Sequence, residues 1–228
     1  MTYLLRVDSS VSGERSFSNQ VANTFQDAWP GAVVLRDLAV NPVAHLDAAG
    51  VSSRVTEPGQ RSEAEEAAAA VQDELVAEFL GASAYLFAVP MYNYTMPSVF
   101  KAWLDHIMIV DQTIGLGPHA APTTGRPAVV ISARGGGYGP GAPQHGKDFL
   151  IPTVSAILSD PQLMGLRVHT ITPELTYAKV VDQLRPLLAQ HERSLLDAHR
   201  QAEALAADLA RGGIARTDRG RAAVETVR

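Results

Sequence analysis

The sequence predicts an α/β fold, a three-layer sandwich whose central sheet has five parallel strands in the order 2-1-3-4-5. Short apolar runs alternate along the chain with segments of helical spacing, which is typical of parallel strands joined by right-handed helical crossovers. The 228 residues are 46% hydrophobic and 19% charged, enough to bury one large core. We expect a single domain over residues 1–210.

Three strands and two helices are predicted in the first half of the chain. The strands are the apolar runs at 3–7, 32–38 and 84–89. Apolar residues at helical spacing predict a helix over 18–29, and the segment that starts at Glu63 predicts a second, with acidic residues in its first turns. Gly81 is expected to end this helix as a left-handed cap. Residues 39–59 lack a clear period and are interpreted as a long surface excursion.

The second half of the chain completes the sheet. Apolar runs predict strands at 127–132 and 167–172, and helical spacing predicts helices at 97–110, 145–158 and 177–210. Residues 211–228 carry five arginines against two acidic residues. We expect this C-terminal tail to be disordered, because it has little apolar surface to bury.

Composition excludes several classes of function. A net charge of −5 offers no basic footprint for nucleic acid. The chain has no cysteine, so thiolate chemistry and disulfides are excluded and any redox chemistry needs a bound cofactor. The seven histidines show no metal-ligand pairing, and no G-x-S-x-G elbow is present. No apolar run is long enough for a signal peptide core or a membrane span, so a cytoplasmic location without membrane partners is expected.

Three unusual loops come after the first, third and fourth strands, and in this strand order ligands bind beyond those carboxyl ends. The first loop covers 8–18 and leads into a helix; with the first helical residues its sequence is "DSSVSGERSFSNQ". Its five serines and Arg15 favour an anion at the helix N-terminus. One serine alone would be explained as an N-cap. The other loops cover 90–97 and 133–144. We expect all three to form one site.

Two partial motifs in the third loop are not convincing nucleotide sites. Gly137, Gly139 and Ala142 match G-x-G-x-x-A, but Pro140 lies inside the match. Residues 141–147 match the start of a P-loop, yet Asp148 stands where a magnesium-binding Ser or Thr is required. We therefore expect the glycines of this loop to allow the backbone to approach a flat ligand closely.

The middle loop carries a resemblance to a known family. "PMYNYTMPSVFKAWLDHI" resembles the signature of the FMN-dependent NADH azoreductases, also described as NAD(P)H:quinone oxidoreductases. "DSSVSGERSFSNQ", "RDLAVNPVAHLD" and "SARGGGY" resemble further family segments in the same order, so the resemblance runs from the first strand to about residue 170. It implies a flavodoxin-like homodimer that binds FMN at its interface and takes electrons from NADH or NADPH.

The resemblance also implies which residues bind FMN, with no catalytic side chain and no metal. The phosphate would lie at Ser10, Ser16, Phe17 and Ser18. The isoalloxazine would lie along Met91, Tyr92, Asn93 and Tyr94, with Ala133, Arg134, Gly135 and Gly136 at its far edge. A thioether and aromatic rings suit a flat polarisable ring, although the same residues are also common in a core at a strand end.

The family's reaction implies a two-electron ping-pong exchange with a small-molecule acceptor, an azo compound or a quinone. Residues 111–124 depart from the family pattern, because Ile114 and Leu116 replace aromatic residues that would cover the partner subunit's flavin. Three alternatives therefore stay open. They are a dedicated biosynthetic FMN reductase on an unrelated acceptor, a flavodoxin-type electron carrier, and a non-redox relative that has lost flavin catalysis.

Overall fold

The computed structural model describes residues 3–115 and 119–225, with side chains described as far as Arg211. Five parallel strands form one sheet in the order β2-β1-β3-β4-β5. These strands are β1 (Leu4–Asp8), β2 (Val33–Asp37), β3 (Ala84–Ala88), β4 (Pro127–Ile131) and β5 (Arg167–Ile171). The predicted fold class and strand order are confirmed.

The described residues contain six α-helices. They are α1 (Phe17–Asp27), α2 (Ala48–Ser52), α3 (Glu63–Gly81), α4 (Ser98–Ile107), α5 (Leu150–Ser159) and α6 (Leu188–Glu225). The sequence interpretation missed α2, where the Asp47 carboxylate accepts a hydrogen bond from the Gly50 amide at 2.8 Å. It also placed the start of α6 too early, because Thr176–Lys179 and Asp182–Leu187 form 3-10 turns and Pro186 lies in the second.

The C-terminal end of the chain lies partly outside the described residues. The helical backbone of α6 is assigned as far as Glu225, and residues 226–228 are not described. The disorder expected over 211–228, like the limit of the domain at residue 210, stays a prediction. Over the residues described, no helix combines the length and the apolar composition that crossing a bilayer requires.

The two faces of the sheet pack against different kinds of side chain. One face is rich in aromatic residues from β3, α3 and α4, among them Tyr85, Phe87 and Trp103, all fully buried or nearly so. The opposite face contacts α1 and α6 and is rich in alanines, such as Ala202 and Ala206. Small side chains allow α6 to lie close to the sheet and to α1, which fixes both helices relative to the carboxyl ends of the strands.

Arg6 forms a buried ion pair with Asp8 within β1 and also links β1 to α1. The Arg6 guanidinium donates two hydrogen bonds to the Asp8 carboxylate, at 2.9 and 2.8 Å, and one each to Asn23 and Gln26 at 2.8 and 3.0 Å. Burial raises the pKa of the Asp8 carboxyl, and the contacts with Arg6 oppose this shift. The network holds α1 so that it begins just beyond the carboxyl end of β1.

Gly81 does not form the left-handed cap that the sequence suggested. It is the last residue of α3, and the cap is Ala82 with a φ of −74°. A Cβ at Gly81 would lie 2.7 Å from the Tyr3 hydroxyl, which donates a hydrogen bond of 2.6 Å to the Glu78 carbonyl. The prediction was wrong because this glycine is needed for packing space rather than for its φ.

Candidate functional site

Three loops meet beyond the carboxyl ends of β1, β3 and β4. The Ala133 amide donates a hydrogen bond of 3.0 Å to the Ser18 hydroxyl, and the Met91 amide donates one of 3.0 Å to the Ala133 carbonyl. Ser18 is fully buried, and Met91 is half-buried against the aromatic core. These two hydrogen bonds therefore join the start of α1 to the two loops that come after β3 and β4.

Tyr92 joins the first and second loops from the outer side. Its hydroxyl accepts a hydrogen bond of 3.2 Å from the Val11 amide and lies 3.3 Å from the Ser10 hydroxyl. The Ser10 side chain is buried and also accepts a hydrogen bond from the Ser12 amide at 3.4 Å. Ser10 and Tyr92, which lie far apart in sequence, thus share one polar contact at the site.

The N-terminus of α1 has the properties of an anion site. Ser16 is the N-cap, and its hydroxyl accepts a hydrogen bond of 3.2 Å from the Asn19 amide. The first intrahelical bond is made by Gln20, so the amides of Phe17 and Ser18 have no intrahelical acceptor. The first turn holds no acidic residue. The positive end of the helix dipole and these two N–H groups therefore favour an anion.

The Phe17 side chain has a packing role. Its ring lies 5.0 Å from the ring of His191, edge to face, and the Lys179 ammonium lies 5.4 Å from its centroid. His191 is fully buried and donates a hydrogen bond of 3.0 Å to the Glu174 carbonyl. These contacts fix the first residue of α1 against α6, so that its backbone amide is the group available to a ligand.

The 92–95 segment forms a tight turn with two consecutive residues at positive φ. Tyr92 and Thr95 exchange backbone hydrogen bonds of 2.9 and 3.0 Å, while Asn93 has φ 48° and Tyr94 has φ 69°. This is the pattern of a type I′ hairpin turn. Asparagine tolerates the left-handed region, but it costs a residue such as tyrosine about 1–2 kcal/mol. Both side chains are exposed in this turn, at the edge of the site.

Arg134 is directed into the protein. Its guanidinium donates a hydrogen bond of 2.7 Å to the Asp148 carboxylate, lies 3.5 Å from the Glu174 carboxylate and is 5.4 Å from the centroid of the Tyr138 ring. Burial is the main cause that raises the pKa of the Tyr138 hydroxyl. Asp148 also accepts hydrogen bonds from the first amides of α5. The Asp148 carboxylate, which stands where a P-loop requires Ser or Thr, therefore holds the third loop in its conformation.

Two glycines of the third loop lie close to the segment that follows β5 in the same chain. A Cβ at Gly135 would lie 2.5 Å from the Tyr177 ring. The Tyr177 amide donates a hydrogen bond of 3.2 Å to the Gly135 carbonyl, and the Leu175 amide donates one of 3.2 Å to the Gly136 carbonyl. The sequence explained these glycines by a flat ligand and missed Tyr177, because no periodic or motif signal connects positions so far apart.

The segment after α4 is described only in part. Ile114 is half-buried, and its amide donates a hydrogen bond of 3.1 Å to the Ile109 carbonyl. Leu116 lies outside the described residues. The expectation that Ile114 and Leu116 face the partner subunit's flavin therefore stays a prediction.

Two features lie apart from the three loops. His106 is buried in α4 and donates a hydrogen bond of 2.9 Å to the Ala44 carbonyl, in keeping with a packing role. A cavity of 390 Å³ lies between β5 and α6, lined by residues such as Thr170, Arg193 and Asp197, and contains none of the predicted site residues. In the part of the chain that is described, no cluster of His, Asp and Glu could hold a metal ion.

Comparison with known proteins agrees with this geometry. The profile of the flavodoxin-like fold family matches residues 2–207. The FMN-dependent NADH:quinone oxidoreductase of Frankia casuarinae is 40% identical over 203 residues, which cover 87% of this chain and 95% of that protein. The protein of the same name from Streptomyces coelicolor is 39% identical over 215 residues, 92% of this chain and 96% of its own length.

Solved structures show the same fold. The crystal structure of an FMN-dependent NADH-azoreductase from Bacillus anthracis in complex with FMN has a TM-score of 0.76 and 20% identity, and it covers 92% of this chain and 100% of that one. The crystal structure of azoreductase AzrA has a TM-score of 0.76 at 19% identity, with 91% and 100% covered. From the profile match and the curated relatives, we conclude that the chain belongs to the flavodoxin-like family of FMN-dependent NADH:quinone oxidoreductases.

Proposed function

We propose that this chain is an FMN-dependent NADH oxidoreductase that reduces quinones or related azo acceptors. The observation that carries the proposal is the junction of Ser18, Ala133 and Met91, which joins the start of α1 to the loops after β3 and β4. Relatives of 40 and 39% identity are named FMN-dependent NADH:quinone oxidoreductases, which supports the same cofactor and donor here.

The residues present fit FMN. Its phosphate would accept hydrogen bonds from the Phe17 and Ser18 amides and from the hydroxyls of the first loop, at the positive end of α1. Met91 and the exposed turn residues Asn93 and Tyr94 offer a thioether, an amide and an aromatic ring to a flat ligand. Ala133, Gly135 and Gly136 would border the far edge, while Arg134 holds that loop in shape.

When bound, FMN supplies reversible hydride transfer between NADH and the acceptor. The chain's own residues bind and orient the reactants, and no side chain of the site need act as nucleophile or metal ligand. The exposed Asn93 amide would pair with polar edge atoms of the ring. One opening beyond the three loops would serve donor and acceptor in turn, so we propose ping-pong exchange. The proposal also includes the homodimer that the sequence resemblance implies.

The test begins with FMN titration of the apoprotein, followed by initial rates with NADH and a quinone. We expect tight FMN binding and parallel double-reciprocal lines. Asn93→Ala should weaken FMN binding about tenfold. It would leave a polar edge atom of the bound flavin without its partner, and an unpaired buried polar group costs about 1–3 kcal/mol. Asn41→Ala, a matched exposed asparagine after β2, should leave it unchanged.

Four results would contradict this proposal in different ways. Failure to bind FMN would remove the flavin function and favour the non-redox alternative. FMN binding with negligible NADH oxidation would favour an electron carrier. Intersecting double-reciprocal lines would show that both substrates bind together, and a monomer in light scattering would remove the homodimer.

A further inference from the structure

Exposed aromatic side chains are concentrated at the proposed site. In the described part of the chain, the exposed Phe, Tyr and Trp side chains are Tyr94, Phe149 and Tyr177, with 43, 57 and 58% of their surface accessible. They lie after β3, β4 and β5, at the edge of the sheet where the three loops meet. Burial of such rings is normally favourable, so their joint exposure at one edge points to a ligand surface.

Backbone contacts connect these residues to the proposed flavin loops. The Phe149 amide donates a hydrogen bond of 3.1 Å to the Tyr94 carbonyl. The Tyr177 ring occupies the space that a side chain at Gly135 would take, with the Cβ position only 2.5 Å from the ring. Tyr177 therefore stands directly beside the loop proposed for the far edge of the isoalloxazine.

The backbone segment that carries Tyr177 is held in place by hydrogen bonds to the third loop and to α6. The Arg134 amide donates a hydrogen bond of 2.9 Å to the Pro173 carbonyl, and the Thr176 amide donates one of 3.0 Å to the Arg134 carbonyl. The Glu174 carboxylate accepts a hydrogen bond of 3.0 Å from the Tyr138 amide, while the Glu174 amide donates one of 3.0 Å to Ser194 on α6. An exposed ring on so fixed a segment is preorganised for contact with a ligand.

We propose that Tyr177 is a specificity-determining residue for the acceptor. A flat two-ring acceptor stacks against the Tyr177 ring, beside the 133–136 loop. This inference rests on the proposed function. It assigns to the acceptor an aromatic surface within the same subunit, on the segment that follows β5. An electron-rich phenol ring favours an electron-poor quinone ring through the opposed quadrupoles of the two π-systems.

The experiment compares three variants of the FMN-loaded protein. Tyr177→Leu keeps bulk over Gly135 but removes the π-system, Tyr177→Phe keeps the ring, and Val180→Ala alters an exposed apolar residue nearby as the control. Two quantities are measured: the ratio of kcat/KM for naphthoquinone to that for benzoquinone, and the Kd of naphthoquinone for the oxidised protein, by calorimetry in the absence of NADH. FMN affinity is measured for each variant.

We expect Tyr177→Leu to lower the ratio and to weaken naphthoquinone binding, each by about three- to tenfold, the loss of one stacked aromatic pair. Tyr177→Phe and Val180→Ala should match the wild type, and all variants should bind FMN alike. An unchanged ratio and naphthoquinone Kd in Tyr177→Leu would overturn this inference alone, since FMN binding and quinone reduction would persist. Loss of FMN in that variant, or an equal defect in Tyr177→Phe, would also overturn it. A wild type without FMN binding would refute the proposed function itself.

Discussion

Helices α1 and α3 begin with the same kind of N-cap and differ in the residues of their first turns. Each has a serine N-cap, Ser16 or Ser62, whose hydroxyl accepts a hydrogen bond from the amide three residues later. In α3 that third residue is Glu65, whose carboxylate accepts a hydrogen bond from the Ser62 amide at 2.8 Å and completes a capping box. In α1 the equivalent residue is the uncharged Asn19.

The difference in first-turn residues distinguishes a helix start whose positive end is already occupied by its own carboxylates from one whose positive end remains available to a ligand. The first turn of α3 holds three acidic residues, and hydrogen bonds from Ser52 and Ser62 lower the pKa of Glu65 to about 2. Its carboxylates already occupy the positive end of the dipole. The first turn of α1 holds none, and Arg15 precedes it. A serine cap therefore indicates a helix start, whereas the missing acid indicates which start suits an anion.

The largest expected effect comes from giving α1 the pattern of α3. Asn19→Glu should weaken FMN binding between tenfold and about a hundredfold, because like charges about 5 Å apart repel by roughly 3 kcal/mol at an effective dielectric of 20. Apoprotein stability should stay the same or rise. Flavin fluorescence titration and thermal unfolding measure the two quantities.

The matched control is Glu65→Gln, which should lower stability and leave FMN affinity unchanged. Equal FMN affinity in Asn19→Glu and the wild type would show that the phosphate does not lie at the start of α1. The contrast between the two helices would then have no functional meaning.

A smaller effect is expected from the second position of each helix. Ser18 accepts a hydrogen bond from the Ala133 amide, whereas the equivalent residue of α3 is Ala64, which links no loop. Ser18→Ala should lower the free energy of unfolding by about 1–3 kcal/mol, since it leaves a buried amide without its acceptor. Denaturant unfolding of the apoprotein measures this.

Ser132→Ala provides the matched comparison for that change. Ser132 is also fully buried, but its hydroxyl finds no hydrogen-bond partner among the described residues. Its removal should cost much less than the removal of Ser18. Similar losses in both variants would mean that packing, rather than the junction of the loops, determines stability there.

The sequence was sufficient for the framework and for the prediction that the loops after β1, β3 and β4 meet at one edge of the sheet. Alternating periods predicted all five strands, and parallel crossovers placed three unusual loops at one edge of the sheet. The junction of Ser18 with Ala133 bears out that the first and third loops meet. Local pattern is enough here because strand periodicity and sheet topology decide where strand ends lie.

The remaining details depend on contacts between distant segments. Gly81 is explained by Tyr3 and Gly135 by Tyr177, partners that no local rule identifies. Arg134 is held by carboxylates 14 and 40 positions away in the sequence, at Asp148 and Glu174. A glycine or a charged residue in a loop is compatible with a ligand and with internal packing, and only the tertiary structure shows that packing is present.

The smallest expected effect is a difference in pH dependence between the two helix starts. The pKa of Glu65 lies below its ordinary value of 4.5, so its ionised form stabilises α3 fully above pH 4.5 and this contribution is lost as the pH falls towards about 2. The stability difference between the wild type and Glu65→Gln should therefore shrink steadily over that interval. Ser16→Ala removes the cap of α1, where no carboxylate takes part, so its cost should be the same throughout. Urea unfolding of the three apoproteins at several pH values measures these differences. A cost for Ser16→Ala that also shrinks in acid would reveal a carboxylate acting at the start of α1, and that helix could no longer be regarded as free to receive the phosphate.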